Sequence, residues 1–158
     1  MSLDFAIYAV IIIDTMDDWQ EVPRYATCFV CGPENESGLH LSFEIKGDEV
    51  RTKWTPRPEH CGYSGIAHGG VISAVLDEIM GWTGWQRYEK YYLTAELGVR
   101  FKKPVFAGVE HDVRARLLKA GSRLYSAEGE IRMPDGEIAA TATGRFIVWR
   151  GNGPPNGR

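Results

Sequence analysis

In the stretch "HGGVISAVLDEIMGW", residues 68–82, the adjacent pair Asp77 and Glu78 carries the only charged side chains. Ionised carboxylates are costly to bury without partners, so both must meet a polar cavity, a subunit boundary or a hydrogen-bond donor. A carboxylate facing a cavity can take a proton from water or attack an electrophile directly. Ahead of the acids, Gly69 and Gly70 open a predicted helix with no Cβ to cover its first backbone N–H groups. Such N–H groups, backed by the helix dipole, suit an oxyanion. Together these are the parts needed for attack on a carbonyl. The competing reading is that both acids meet donors at an interface and only hold it together.

Seven residues separate Gly70 from Asp77, which puts them on nearly one side of a helix but roughly 10 Å apart along it. They cannot both touch one carbonyl carbon. If both serve catalysis, the Gly70 N–H must work with Asp77 of a second subunit whose helix runs antiparallel across a two-fold axis. Glu78 points about 100° away from Asp77 and reads as the structural acid. His68, just before the helix, reads first as a capping or packing group and second as a catalytic one.

The elements that must position these residues follow from the apolar pattern. Around the acids, Val71, Ile72, Val75, Leu76, Ile79, Met80 and Trp82 occupy most directions about the helix axis, so this helix, read as Gly69 to Arg87, belongs inside the protein. Elsewhere the period is two. Leu39, Leu41, Phe43 and Ile45 alternate with polar residues, as do Val50, Thr52 and Trp54, with Gly47-Asp48 as the turn between. Ala95, Leu97, Val99 and Phe101 alternate with Thr94, Glu96, Gly98 and Arg100, and further strands run through 113–117, 125–132 and about 137–149. A single apolar face on each strand fits an antiparallel sheet packed on one side. One buried helix with five or six such strands suggests a curved sheet wrapped around it.

With 158 residues, 44% apolar and 25% charged, the chain has the balance of one globular domain. A net charge of −3 gives no reason to expect nucleic acid as partner. The run "FAIYAVIII" has nine residues, too few to cross a bilayer, and no cleavage site follows it, so no membrane association and a cytoplasmic location are expected. Residues 1–27 read as an N-terminal extension, 28–149 as the domain, and the Gly-, Pro- and Asn-rich 150–158 as a disordered tail.

"GIAHGGVISAVLDEIMGW", "LTAELGVRFKKPVFAG" and "LLKAGSRLYSAEGEI" together resemble the hotdog-fold acyl-CoA thioesterases of the 4-hydroxybenzoyl-CoA and phenylacetate-pathway type. The resemblance covers about residues 28–149. It implies an α+β hotdog fold, a curved antiparallel sheet around one long central helix, assembled as a dimer or a dimer of dimers. It implies hydrolysis of an acyl-CoA with no cofactor, Asp77 as general base or nucleophile, the Gly70 amide polarising the thioester carbonyl, and Thr94 orienting the water. Gly69 and Val71 line the substrate on this reading. The family often places a hydrogen-bonding residue shortly before the His-Gly-Gly histidine. Here Gly62 stands where a close relative would have Asn, so that role passes to His60.

Arg100, Lys102, Lys103, Lys119 and Arg123 are basic residues at strand ends and turns, and Lys103, Lys119 or Arg123 are the candidates for the coenzyme A phosphates. "CFVCG" offers half of a four-ligand zinc site, with His60 and Cys61 to complete it. A second Cys-x-x-Cys is absent and adjacent residues rarely share one zinc, so no metal is expected. A hotdog hydratase or dehydratase would need a His about one turn beyond the Asp, where Trp82 stands. An acyl-CoA-binding domain without catalysis would ordinarily carry a DNA-binding segment, for which the chain has neither room nor charge. The acyl group itself is not legible.

Overall fold

The computed structural model describes residues 18–155. The apolar run of residues 5–13 and the last three residues of the tail lie outside them. Nine strands, two α-helices and one 3-10 turn (Pro58–His60) are described: β1 (Gln20–Glu21), β2 (Glu44–Lys46), β3 (Glu49–Trp54), β4 (Cys61–Tyr63), β5 (Ile66–Ala67), α1 (Gly69–Trp82), α2 (Trp85–Tyr88), β6 (Tyr92–Phe101), β7 (His111–Ala120), β8 (Leu124–Arg132) and β9 (Ile138–Val148). Seven form one sheet in the order β1-β2-β3-β7-β8-β9-β6, with every neighbouring pair antiparallel. A small β4–β5 hairpin leads into α1. This is the hotdog arrangement of one antiparallel sheet around a central helix.

The apolar pattern explains the layering. Val75, Leu76, Ile79 and Met80 of α1 are wholly buried, and α1 lies against β3, β6, β7, β8 and β9. Facing it are Val50, Val113, Ala127, Ile131, Ala140 and Phe146, each from the apolar phase of its strand. Burial of each such large side chain stabilises by roughly 1.5–3 kcal/mol. The hairpin turn is where the sequence puts it: Lys46 pairs with Glu49 and Gly47 has φ +58°, the left-handed conformation that a two-residue turn demands.

Three expectations need correction. The helix does not run unbroken to Arg87; α1 stops at Trp82 and the short α2 follows. The Thr83 hydroxyl donates to the Met80 carbonyl at 2.7 Å, and the Tyr125 hydroxyl donates to the Gly81 carbonyl, so two carbonyls that would continue the helix are already occupied. The strand read through Leu39–Ile45 is confined to Glu44–Lys46. Leu39 and Leu41 instead donate their backbone N–H to Phe29 and Val30 at 2.8 and 2.9 Å, with His40 between them at φ +58°, so their alternation serves the "CFVCG" loop rather than the sheet. Finally, β1 joins the sheet through Gln20 and Glu21 and Val22 is buried, so the sheet draws on residues read as extension.

The strand β6 carries a bulge. Thr94 pairs with Phe146 and Glu96 with Arg145, leaving Ala95 as the extra residue, so the inward face passes from Tyr92 and Thr94 to Leu97, Val99 and Phe101. Bulges re-aim side chains in this way.

The bend between the helices depends on small residues. A Cβ on Gly81 would collide with the Tyr92 ring, which packs edge-on to Trp82 and Phe146. Alanine gains about 1 kcal/mol of helix propensity over glycine, but overpacking a filled core costs about 1–3 kcal/mol, and here the obstacle is a rigid ring. Gly81→Ala should therefore lower the midpoint of urea unfolding; an unchanged or higher midpoint would show that the ring yields.

Candidate active site

The N-terminus of α1 is closed by its own histidine. His68 is the N-cap, and its Nδ1 accepts the Gly70 N–H at 2.9 Å. The His68 carbonyl takes the N–H groups of Val71 and Ile72 at 2.9 and 3.0 Å. The capping reading of His68 is thus the one the geometry displays, and the Gly70 N–H is occupied by the His68 ring. A Cβ on Gly62 would stand 2.9 Å from His68 Cδ2, so glycine at position 62 leaves the ring its place. Gly69 packs beneath the exposed Phe101 ring, which a Cβ there would meet at 3.4 Å. Val71 is partly buried against the core.

Two turns on, the acids separate. Thr94 donates its hydroxyl to Asp77 Oδ1 at 2.9 Å, and the bulge at Ala95 is what turns Thr94 inward to do so. Burial pushes the Asp77 carboxyl above its usual range, the Glu78 charge adds to this, and the Thr94 hydrogen bond opposes both. Glu78 faces its own chain: it accepts Trp82 Nε1–H at 3.0 Å and the Cys28 thiol at 3.6 Å. Burial and then the Cys28 charge raise its pKa.

Other predicted residues lie apart. His60 is 5% exposed; its Nδ1 accepts the Arg57 N–H at 3.0 Å and its ring tilts against Trp54. Burial lowers its pKa. Its bond towards the helix start is through the main chain, the His60 carbonyl accepting the His68 N–H at 2.8 Å. The basic candidates do not form one cluster. Lys103 bonds through its N–H to Ala139 while Arg123 accepts from Val148, opposite ends of β9 and about 30 Å apart at strand rise. Lys103 is ion-paired with Glu137, whereas Lys119 and Arg123 flank the exposed turn whose Gly121 carbonyl accepts the Tyr88 hydroxyl at 2.6 Å. A cavity of about 830 Å³ lies elsewhere, lined by Arg51, Arg114, Arg116, Glu128, Glu130 and Thr143 among others, on the sheet face turned away from α1. Asp77 opens instead beside the edge strand β6.

The sequence offered His60 and Cys61 as the residues that could complete a site with "CFVCG", and the fold brings a different residue to the loop. Cys28, Cys31 and Glu78 converge, their ligand atoms within 4.8 Å of one another, while Cys61 points its thiol at the Arg57 carbonyl at 3.7 Å. The helical phase of Glu78 signalled that it leaves Asp77, but not what it meets.

Residues 64–140 match the model of the thioesterase superfamily. A thioesterase superfamily protein of known structure aligns with a TM-score of 0.70 at 22% identity over 91% of this chain and 75% of its own. Thioesterase superfamily member 2 of zebrafish gives 0.68 at 14% identity over 75% and 90%. The E. coli PaaI protein from the phenylacetic acid degradation operon gives 0.66 at 16% over 72% and 82%. Among curated proteins, one from Saccharolobus solfataricus named as an esterase is 28% identical over 87 residues, 54% of this chain and 61% of that protein. A protein of Schizosaccharomyces pombe is 26% identical over 58% of this chain and 55% of its own length. The chain thus spans less than two thirds of the curated relatives it matches. The chain has the hotdog fold of these structures, and its residues 64–140 are similar to the thioesterase superfamily.

The raised Asp77 pKa has a consequence for stability. A carboxyl whose folded pKa exceeds its unfolded value of about 3.9 contributes its full share of stability below that value and loses it as pH rises through the folded pKa. At pH 7 the raised Asp77 pKa therefore costs stability. Asp77→Asn, which can still accept from Thr94, should melt above the wild type at pH 7, and the gap should close as pH falls to about 4. A lower melting temperature for the variant at pH 7 would mean that the carboxylate is stabilising.

Proposed function

We propose that the protein is a thioester hydrolase that cleaves an acyl-CoA to the free acid and coenzyme A. The observation that carries this reading is Asp77, a carboxylate held by Thr94 on a helix that opens with Gly69-Gly70, in a segment similar to the thioesterase superfamily. Water, or Asp77 itself, adds to the thioester carbonyl carbon. In the first case the Asp77 carboxylate takes the water proton; in the second an acyl–Asp77 anhydride forms and water then cleaves it. The C–S bond breaks as the tetrahedral intermediate collapses, and the sulfur leaves as thiolate to be protonated. The Gly70 N–H stabilises the oxyanion once the His68 ring has given it up.

Asp77 and Gly70 are two helical turns apart, so each site takes Asp77 from one chain and Gly70 from another. Support for a homodimer comes from β6, a ten-residue strand bonded on one side to β9. It leaves Leu93 43%, Leu97 36% and Phe101 53% exposed, the kind of apolar edge that proteins ordinarily cover. The coenzyme A phosphates fall to Lys119 and Arg123, because Glu137 already neutralises Lys103. His60, held to Arg57 and Trp54, positions the helix start through its carbonyl. No helix among the described residues is long and apolar enough to cross a membrane, and three free thiols accord with a reducing cytoplasm. Neither a cofactor nor nucleic acid enters this chemistry.

The test is hydrolysis of an acyl-CoA panel from short-chain to phenylacetyl. Asp77→Asn should remain folded and lower kcat by about 10² or more. Mixing Asp77→Asn chains with Gly70→Pro chains should restore about half the wild-type rate per heterodimer, since one of its two sites is then intact. Hydrolysis of no acyl-CoA by the wild-type protein would overturn the reading, and folded heterodimers without recovery would overturn the shared site.

A further inference from the structure

The cluster of Cys28, Cys31 and Glu78 serves no step of thioester hydrolysis, yet it is more tightly arranged than packing requires. The loop that carries the cysteines closes on itself: Cys28 N–H bonds to the Tyr25 carbonyl at 3.0 Å, Gly32 N–H to the Cys28 carbonyl at 2.9 Å, and Glu34 N–H to the Ala26 carbonyl at 2.9 Å. A side chain at position 32 would meet Cys28 N at 2.5 Å and the Ala26 carbonyl at 2.6 Å, so the glycine that ends "CFVCG" is what lets the turn fold over Cys28. The Val30 N–H points at Cys28 Sγ at 3.4 Å. Leu39 and Leu41 then tie Phe29 and Val30 to the following segment. Both sulfurs are thereby presented to one point on α1, where Glu78 arrives.

We propose that Cys28, Cys31 and Glu78 form a zinc site that fastens the "CFVCG" loop to the central helix. Two sulfurs and one carboxylate oxygen are a donor set that zinc takes, with a water as the fourth ligand. The spacing fits. With Zn–S of about 2.3 Å, Zn–O of about 2.0 Å and tetrahedral angles, a sulfur and a carboxylate oxygen on one ion stand about 3.5 Å apart. Cys28 Sγ lies 3.6 and 3.7 Å from the two Glu78 oxygens. Glu78 is also oriented from behind, Trp82 Nε1–H donating to Oε1 at 3.0 Å, as metal-binding carboxylates commonly are. Cys31 is wholly buried, and its carbonyl is held by Arg24 Nε at 2.9 Å.

Charge gives the arrangement a second reason. Three groups that can each be anionic sit within 4.8 Å of one another, and they are incompatible as three anions without a cation among them. On binding, the two thiols release their protons to solvent and Zn²⁺ takes their place. The expectation of no metal weighed His60 and Cys61 as partners for the loop; the helix supplies Glu78 instead. The site would fix the loop to the residue next to Asp77.

The test uses the full chain, reduced and stripped with a chelator, titrated with cobalt(II) chloride as a coloured stand-in for zinc. Sulfur-to-cobalt charge-transfer and intense tetrahedral d–d bands should grow and saturate at one cobalt per chain, and zinc chloride should bleach them. Cys61→Ser should bind as the wild type does, Cys28→Ser should lose the charge-transfer bands, and Glu78→Gln should weaken binding at least tenfold while the far-UV spectrum stays native. Added zinc should also raise the Tm of the wild-type protein and leave that of Cys28→Ser where it was, a readout independent of any thioesterase activity. Absence of thiolate bands in the folded wild type, bands that survive Cys28→Ser or vanish with Cys61→Ser, or a zinc-insensitive Tm would each overturn the proposal.

Discussion

The packing of α1 into the sheet is the interaction on which the rest of the structure depends. A helix that is apolar on nearly all sides gains most by losing contact with water in every direction, and one antiparallel sheet can supply that only by curving around it. Strands β3, β7, β8, β9 and β6 all reach α1, and their inward phases are filled by Val, Ala, Ile and Phe. Small residues mark where the backbones crowd. Gly129 of β8 would bring a Cβ to 3.1 Å from Met80 Cγ, so the glycine is a consequence of how closely helix and sheet approach.

Within so apolar an element, two neighbouring carboxylates need two different solutions, because adjacent helical positions face about 100° apart. Asp77 finds a hydroxyl on the edge strand, and Glu78 finds an indole N–H and a thiol inside the chain. Both carry raised pKa values with burial as the leading cause. The difference lies in what surrounds them. Asp77 accepts a single hydrogen bond at the rim of the sheet, whereas Glu78 is engaged from two directions within its own chain.

Much of this was legible in the residues. The buried helix showed in the full circle of apolar side chains, and the Gly47-Asp48 turn in a dipeptide whose backbone needs are specific. The Asp77–Glu78 division followed from helical phase, and the capping role of His68 from its place before a helix. The end of α1 was not legible, because the residues Thr83-Gly84 resist a helix only weakly; what stops it is Tyr125, more than forty positions away in sequence. The strand at Leu39–Phe43 was overread because alternation reports a buried face and not its partner. The basic residues were grouped because each sits at a strand end, and only the sheet order reveals that the ends are opposite ones.

The bulge at Ala95 is the step that binds these points together. Strict alternation puts Thr94 in phase with Glu96, Gly98 and Arg100, on the face away from the helix, where it could not touch Asp77. A single inserted residue reverses the phase, so that Thr94 and Tyr92 face α1 while Leu97, Val99 and Phe101 do so further along. The same irregularity disturbs the regular edge of the sheet at the point where Asp77 opens to it. A carboxylate in the middle of a buried helix could be served from the core only by burying another polar group there. Placing its partner at a bulge on an edge strand gives it a hydrogen bond at the rim of the sheet, and the carboxylate needs no polar partner from the strands packed deeper against α1.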